Sequence, residues 1–240
     1  MFEYKTTPAD WIKQISAHWN FKLVREIFEE RKTKVSDKIY PPLSVSKAGV
    51  VPQLETAAKT DNGDNRKLVK IGDFVINSRS DRKGSSGISD YEGSVSLIYT
   101  VLKPAANVNK KFLHYLLRSV PFTEEYYRNG KGLVADLWTT NYDKFRNIPL
   151  PVPPLDEQEK IVRYLDKKTA QISTFLDAKK KEVSLLDEFK RSIIAETVTK
   201  GLHGDSSHWQ KIRLKYLVDN ISGKKNYLGG NYVGLENIES

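Results

Sequence analysis

The side chains best suited to chemistry lie in the run Asn77-Ser-Arg79-Ser-Asp-Arg82-Lys83-Gly84-Ser-Ser-Gly87, which has no apolar residue. Arg79, Arg82 and Lys83 supply charge for phosphates, and the two guanidinium forks also match the acceptor pair of guanine. Asn77, Ser78, Ser80 and Ser85 can address base edges or phosphate oxygens, while Gly84 and Gly87 would let backbone approach a groove. Residues 66–83 hold six Lys/Arg against two Asp. A second group, Lys131, Thr139, Thr140, Asn141 and Tyr142, has the residue types for another edge of the same surface. For either group the plain alternative is a solvated loop.

Catalytic patterns are absent. No glycine-rich phosphate loop is followed by Lys-Ser/Thr, and Gly84-Ser-Ser-Gly87 is too short to be one. Four His and no Cys make no convincing zinc set. Asp177-Ala-Lys179 and Glu188-Phe-Lys190 echo a nuclease metal-site fragment, but a solvated helix face explains them better. Tyr40-Pro-Pro-Leu43 and Val152-Pro-Pro-Leu155 lack the amide and the aromatic by which an adenine methyltransferase grips a flipped base. The expectation is a protein without catalytic residues, metal or cofactor of its own.

The elements that must position the polar run are mixed. Tyr40–Val51 reads as a strand with a turn at Lys47-Ala-Gly49, and 52–65 as a polar loop. Leu68–Ile76 reads as a turn entering a buried strand, and Ser94–Leu102 as a strongly β-prone strand closed by Lys103-Pro104. Asn109–Asn129 has the apolar stripe of a helix (Phe112, Leu113, Leu116, Leu117), with a break or restart at Pro121. Residues 130–148 read as loop and short strand, with Trp138–Tyr142 exposed. The fold class expected is α+β, a mixed domain followed by one long helix.

That helix dominates the second half. After Pro149-Leu-Pro-Val-Pro-Pro154 the chain runs to Lys200 without Pro or Gly. Asp156 with Glu159 suggests an N-cap and capping box, and Lys200-Gly201 a C-terminal stop. Forty-five residues would extend about 68 Å. Val162 and Leu165 start a heptad seam on which Leu165, Ile172, Leu176, Val183, Leu186 and Ile193 are the pairing residues, with Thr169, Lys179 and Lys190 as polar interruptions. So long an apolar seam needs a partner helix; an ordinary core helix is the alternative.

The 240 residues are 39% hydrophobic and 29% charged, enough for one domain and part of a second. The formal charge is +9, of which +7 falls within residues 1–155; a basic domain beside a nearly neutral helix suggests a polyanion partner. Without Cys, disulfides are excluded and a reducing compartment fits. No apolar run is long enough to span a bilayer and Met1-Phe-Glu-Tyr-Lys5 is no signal peptide, so a cytoplasmic location without a membrane partner is expected. There is also an internal echo. His18-Trp19 and His208-Trp209 are 190 residues apart, each followed by an apolar and basic stretch, and Tyr40-Pro-Pro-Leu43 has a counterpart in Tyr232-Val-Gly-Leu235. One domain starts twice.

Ile148-Pro-Leu-Pro-Val-Pro-Pro-Leu155-Asp-Glu157-Gln158-Glu-Lys-Ile161, Ile193-Ile-Ala-Glu-Thr-Val198-Thr-Lys-Gly201-Leu202 and the two His-Trp starts together resemble the specificity subunit of Type I restriction-modification systems. The resemblance spans the chain. It implies a DNA target recognition domain over 1–154, a spacer helix over 155–202 and the opening of a second recognition domain over 203–240. Since such subunits usually carry two of each, it implies a fragment or a half-length subunit. It further implies that each domain reads half of a bipartite duplex-DNA site and that antiparallel helices set the gap. A rod of that length matches about 20 base pairs at roughly 3.4 Å each. Methyltransferase subunits holding S-adenosylmethionine would dock on it, joined by a restriction and translocation subunit, and two copies could pair their helices as a homodimer. The rival reading is a coiled-coil assembly protein whose basic domain binds protein or RNA; duplex binding with steep salt dependence separates the two.

Overall fold

The computed structural model describes residues 3–7, 9–53, 63–130, 139–202 and 209–219. In chain order these form β1 (Tyr4–Thr6), β2 (Gln14–Ser16), β3 (Asn20–Leu23), the single turn α1 (Val24–Ile27), β4 (Phe28–Glu30), β5 (Lys34–Val35), β6 (Leu43–Ser46), β7 (Gly49–Pro52), β8 (Arg66–Val69) and β9 (Phe74–Asn77). There follow β10 (Ser86–Ile88), β11 (Gly93–Val95), β12 (Tyr99–Pro104), α2 (Lys110–Arg118), α3 (Val120–Arg128), α4 (Tyr142–Phe145), β13 (Pro149–Val152) and α5 (Leu155–Lys200). The architecture is α+β, a sheet-rich domain and a long helix. Chain contacts divide it into two units, Met1–Thr174 and Phe175–Ser240.

Within the first unit a four-stranded antiparallel sheet in the order β10-β9-β12-β4 is the middle layer. Successive side chains of a strand point to opposite faces. Accordingly Phe74 and Ile76 of β9 join Phe112, Leu113 and Leu117 of α2 and Phe122 and Tyr126 of α3 in one core. Val75 of β9 and Val101 of β12 face a second core with Leu43, Val45, Val50, Val69 and Val95 from the β6-β7 hairpin and the β11-β8-β5 sheet. A strand covered on both faces favours a continuous apolar run, here Phe74-Val75-Ile76, and the buried Asn77 ends the strand.

The Tyr40–Val51 reading corresponds to the β6-β7 hairpin, with Gly49 at φ +118°. Asn109 caps α2 through its side chain, which accepts from the Phe112 amide at 3.1 Å. Pro121 lies in the first turn of α3, where its missing N–H is harmless, so the break is a restart. Several strand limits are corrected, and Tyr142–Phe145, expected as loop or strand, is the short helix α4. Leu68-Val69 belongs to β8, and the turn comes after it. The run Ser94–Leu102 is two strands, because the chain leaves the sheet at Ser96–Ile98, and Lys103-Pro104 still belongs to β12, opposite Glu29 and Phe28. Pro149 and Pro151 lie in β13, which among the described residues pairs antiparallel with β3 in a two-stranded sheet, where missing N–H groups are tolerated.

The long helix α5 begins at Leu155. The Pro154 carbonyl takes the amides of Glu157 and Gln158, both at 3.0 Å, so Asp156 is not the cap. It sits inside the first turn, where its carboxylate suits the helix dipole and pairs with Lys160 at 3.0 Å, which with the hydrogen bond holds its pKa below the ordinary range. At the far end Gly201 adopts φ +77° and its amide returns to Thr197 at 2.9 Å, closing the helix as expected. Of the expected second domain start, only 209–219 are described, and these contain one 3₁₀ turn, Leu214–Tyr216.

Candidate nucleic-acid interface

Beyond Asn77, which is paired with Tyr99, the chain leaves β9 for a short loop. It turns through Ser80–Arg82, with the Ser85 amide bonded to the Arg82 carbonyl at 3.0 Å and the Asn77 amide to the Ser85 carbonyl at 2.9 Å. The Asn77 side chain accepts from the Arg79 amide at 3.0 Å, an Asx turn that starts the loop. Gly84 has φ +78°, which side chains rarely adopt. The Tyr127 hydroxyl of α3 donates to the Asn77 carbonyl at 3.0 Å and the Arg82 carbonyl at 3.4 Å. Burial pushes its pKa well up, so it remains a donor at every physiological pH.

Charge is arranged around one carboxylate. Asp81 lies 3.2 Å from Arg79 Nε through one oxygen and 3.6 Å from Arg82 Nε through the other. Lys83 Nζ is 2.6 Å from Glu124 and 5.8 Å from the centre of the Tyr127 ring. The side chains of Arg79, Arg82 and Lys83 are 43%, 69% and 43% exposed. Exposed ion pairs of this kind contribute about 1 kcal/mol or less, so an incoming phosphate can displace the carboxylates.

The second candidate group meets the first. Arg79 and Thr139 form an isolated antiparallel bridge, and the Thr140 amide donates to the Ser78 carbonyl at 2.9 Å. The buried Tyr126 hydroxyl donates to the Thr140 carbonyl at 2.9 Å from below. Loop and segment therefore share one rim, on which Arg79, Arg82, Thr139 and Asn141 are accessible.

Several expected contact residues have other work. Asn77, Ser78, Ser85 and Thr140 are buried, so their side chains do not reach the surface. Strand register and the loop's own hydrogen bonds turn them inward. Ser80 starts the 3₁₀ turn. Tyr142 gives its hydroxyl to the Phe28 carbonyl at 3.0 Å and its ring to the core beside Phe145. Lys131 and Trp138 lie outside the described residues. Asp81, Glu124, Tyr126 and Tyr127 went unnoticed in sequence; an acid between two arginines was the available signal for Asp81.

The root of α5 is built as carefully. Buried Gln158 accepts from the Asn109 amide at 2.9 Å and donates to the Pro153 carbonyl at 2.8 Å. His18 Nε2 lies 2.7 Å from Glu157, and Asp166 takes Lys111 at 2.8 Å and the Tyr115 hydroxyl at 2.7 Å. Of the seam residues, Leu165 is half-buried, and Ile172, Leu176, Val183, Leu186 and Ile193 are exposed. Among the described residues no group of His, Asp or Glu is placed to hold a metal, and no helix is long and apolar enough to cross a membrane.

A family model described as Type I restriction modification DNA specificity domain matches residues 17–185. The Type I restriction enzyme MjaVIII specificity subunit of Methanocaldococcus jannaschii is 26% identical over 198 residues, covering 73% of this chain and 44% of that protein. The fold is similar to the HsdS subunit from Thermoanaerobacter tengcongensis, with TM-score 0.53 and 19% identity over 84% of this chain and 48% of that one. A chain solved in work on complex assembly and conformational transition of the type I R-M system aligns with TM-score 0.57 and 17% identity, covering 80% and 48%. The chain spans less than half the length of each of these three relatives.

Proposed function

The chain belongs to the Type I restriction modification DNA specificity family, and we propose that its sheet-rich domain reads one half of a bipartite duplex-DNA target without catalysing any reaction itself. The observation that carries this is the shared rim: the Arg79–Thr139 bridge sets two guanidinium groups and the hydroxyl and amide of Thr139 and Asn141 along one accessible edge. Arg79, rooted in the bridge, is the base-reading residue. Arg82 is the more exposed cation and meets phosphate, a role for which Lys83 is less free because Glu124 holds it. The exposed apolar seam of α5 pairs with a second such helix, supplied by another copy of this chain, and so spaces two reading domains. Adenine methylation and DNA cleavage then belong to partners: methyltransferase subunits, which bind S-adenosylmethionine, and a restriction and translocation subunit.

Binding of the full chain to random-core duplexes across a salt series tests the reading. Affinity falls linearly on a log–log scale with salt, by a slope of about 0.9 per phosphate contacted. Arg79→Ala relaxes sequence preference at one position, at a cost of about 1–3 kcal/mol, whereas Arg82→Ala weakens all sequences alike and lowers the slope by about one. Equal effects of both variants on every sequence would remove base reading from Arg79, and salt-insensitive binding would remove the DNA interface. Mapping methylated sites in cells with and without the gene tests the link to a methyltransferase.

A further inference from the structure

The segment Ser96–Ile98 sets apolar residues where the fold leaves them uncovered. Val95 ends β11, Tyr99 opens β12, and the Tyr99 amide bonds back to the Ser96 carbonyl at 3.1 Å. Leu97 and Ile98 stand on the resulting turn, each 41% exposed. Their location is tied to the loop described above: the Ile98 carbonyl accepts the Ser78 hydroxyl, and Tyr99 pairs with Asn77, two residues before Arg79. One exposed apolar residue is ordinary, but each of these side chains keeps apolar surface whose burial by a partner would be favourable. Two in succession on a turn, where polar residues and glycine are usual, are a local conflict between sequence and fold. Such conflicts gather at functional sites.

What covers this turn is set by its neighbours. Arg79 and Arg82 make the partner a polyanion, and on the base edges of the duplex major groove the thymine C5-methyl is the apolar group. We propose that Leu97 and Ile98 contact thymine methyl groups, making the turn a specificity element beside Arg79. This rests on the DNA-reading function proposed above.

The test compares duplexes selected by the full chain with the same duplexes carrying deoxyuridine in place of thymine, which removes the methyl alone. The wild type loses roughly fourfold in affinity per methyl contacted. The double variant Leu97→Ala/Ile98→Ala binds both forms alike while keeping the salt slope, and Leu97→Met, still apolar, retains the thymine preference. Sequence-selective binding by the wild type that is blind to the methyl overturns this inference and leaves DNA reading standing; so does a double variant with undiminished thymine preference. Failure to bind any duplex removes the DNA-reading function and this inference together.

Discussion

Gln158, in the first turn of the long helix, accepts the Asn109 amide at 2.9 Å and so joins the root of α5 to the N-terminus of α2. The same side chain donates to the Pro153 carbonyl at 2.8 Å and is 2% exposed. One amide thus satisfies a helix-end donor and a carbonyl that no water reaches. Replacing it by Met, of similar size, orphans both. A buried polar group left without a partner costs about 1–3 kcal/mol, so Gln158→Met should lower the unfolding free energy of the first unit by roughly 2–4 kcal/mol. Urea denaturation of both proteins measures this; a loss below half a kcal/mol would mean the two bonds are not made in solution.

Asp81 is shared between two solvent-accessible arginines. Asp81→Asn removes the carboxylate charge shared by Arg79 and Arg82 while keeping its shape. Affinity for arbitrary duplex DNA should rise several-fold at low salt, with discrimination between sequences reduced, because the guanidinium groups are no longer held in position. Filter-binding on matched and mismatched duplexes reads both quantities. Unchanged affinity would show that Asp81 does not compete with phosphate.

Leu176 occupies the centre of the exposed seam, with Val183 and Leu186 one and one-and-a-half heptads on. A carboxylate there would have to be desolvated against the facing helix. Leu176→Asp is expected to convert a paired species into the single chain, as measured by sedimentation at micromolar concentration, without altering the helical content of the chain. The same mass for both proteins contradicts the seam.

His114 packs between strand and helix, with its Nδ1 accepting the Ile88 amide at 3.2 Å and its Nε2 3.1 Å from the Arg118 guanidinium. Burial, and then the charge of Arg118, lower its pKa below the ordinary 6.5. As pH falls, the unfolded chain therefore takes up the proton first. The stabilisation is complete above the unfolded pKa, near 6.5, and is lost as pH falls from there through the folded value. His114→Asn, whose amide oxygen can still accept the Ile88 N–H, should show a flatter thermal midpoint between pH 7.5 and 5.5 than the wild type. Parallel curves would remove His114 as the source.

Much of this protein was legible along the chain because its signals are local. Pro121 and Asn109 mark helix ends through the N–H groups they lack or satisfy, and the 46-residue helix announces itself by an unbroken run free of Pro and Gly. The basic loop after β9 declares itself by composition, and the Pro-Leu-x-Glu-Gln entry to the helix by its resemblance to one family.

Only the tertiary structure decided which polar residues of the rim face outward. Asn77, Ser78 and Thr140 look like contact residues by type, yet strand register and long-range bonds to α3 and the 139–140 segment turn them inward. β-propensity likewise runs straight through Ser94–Leu102, whereas the sheets claim Val95 and Tyr99 separately and leave Leu97 and Ile98 outside. Composition and periodicity determine what a segment can form by itself. Burial is a property of what arrives from elsewhere in the chain, and no window of sequence contains the partner that supplies it.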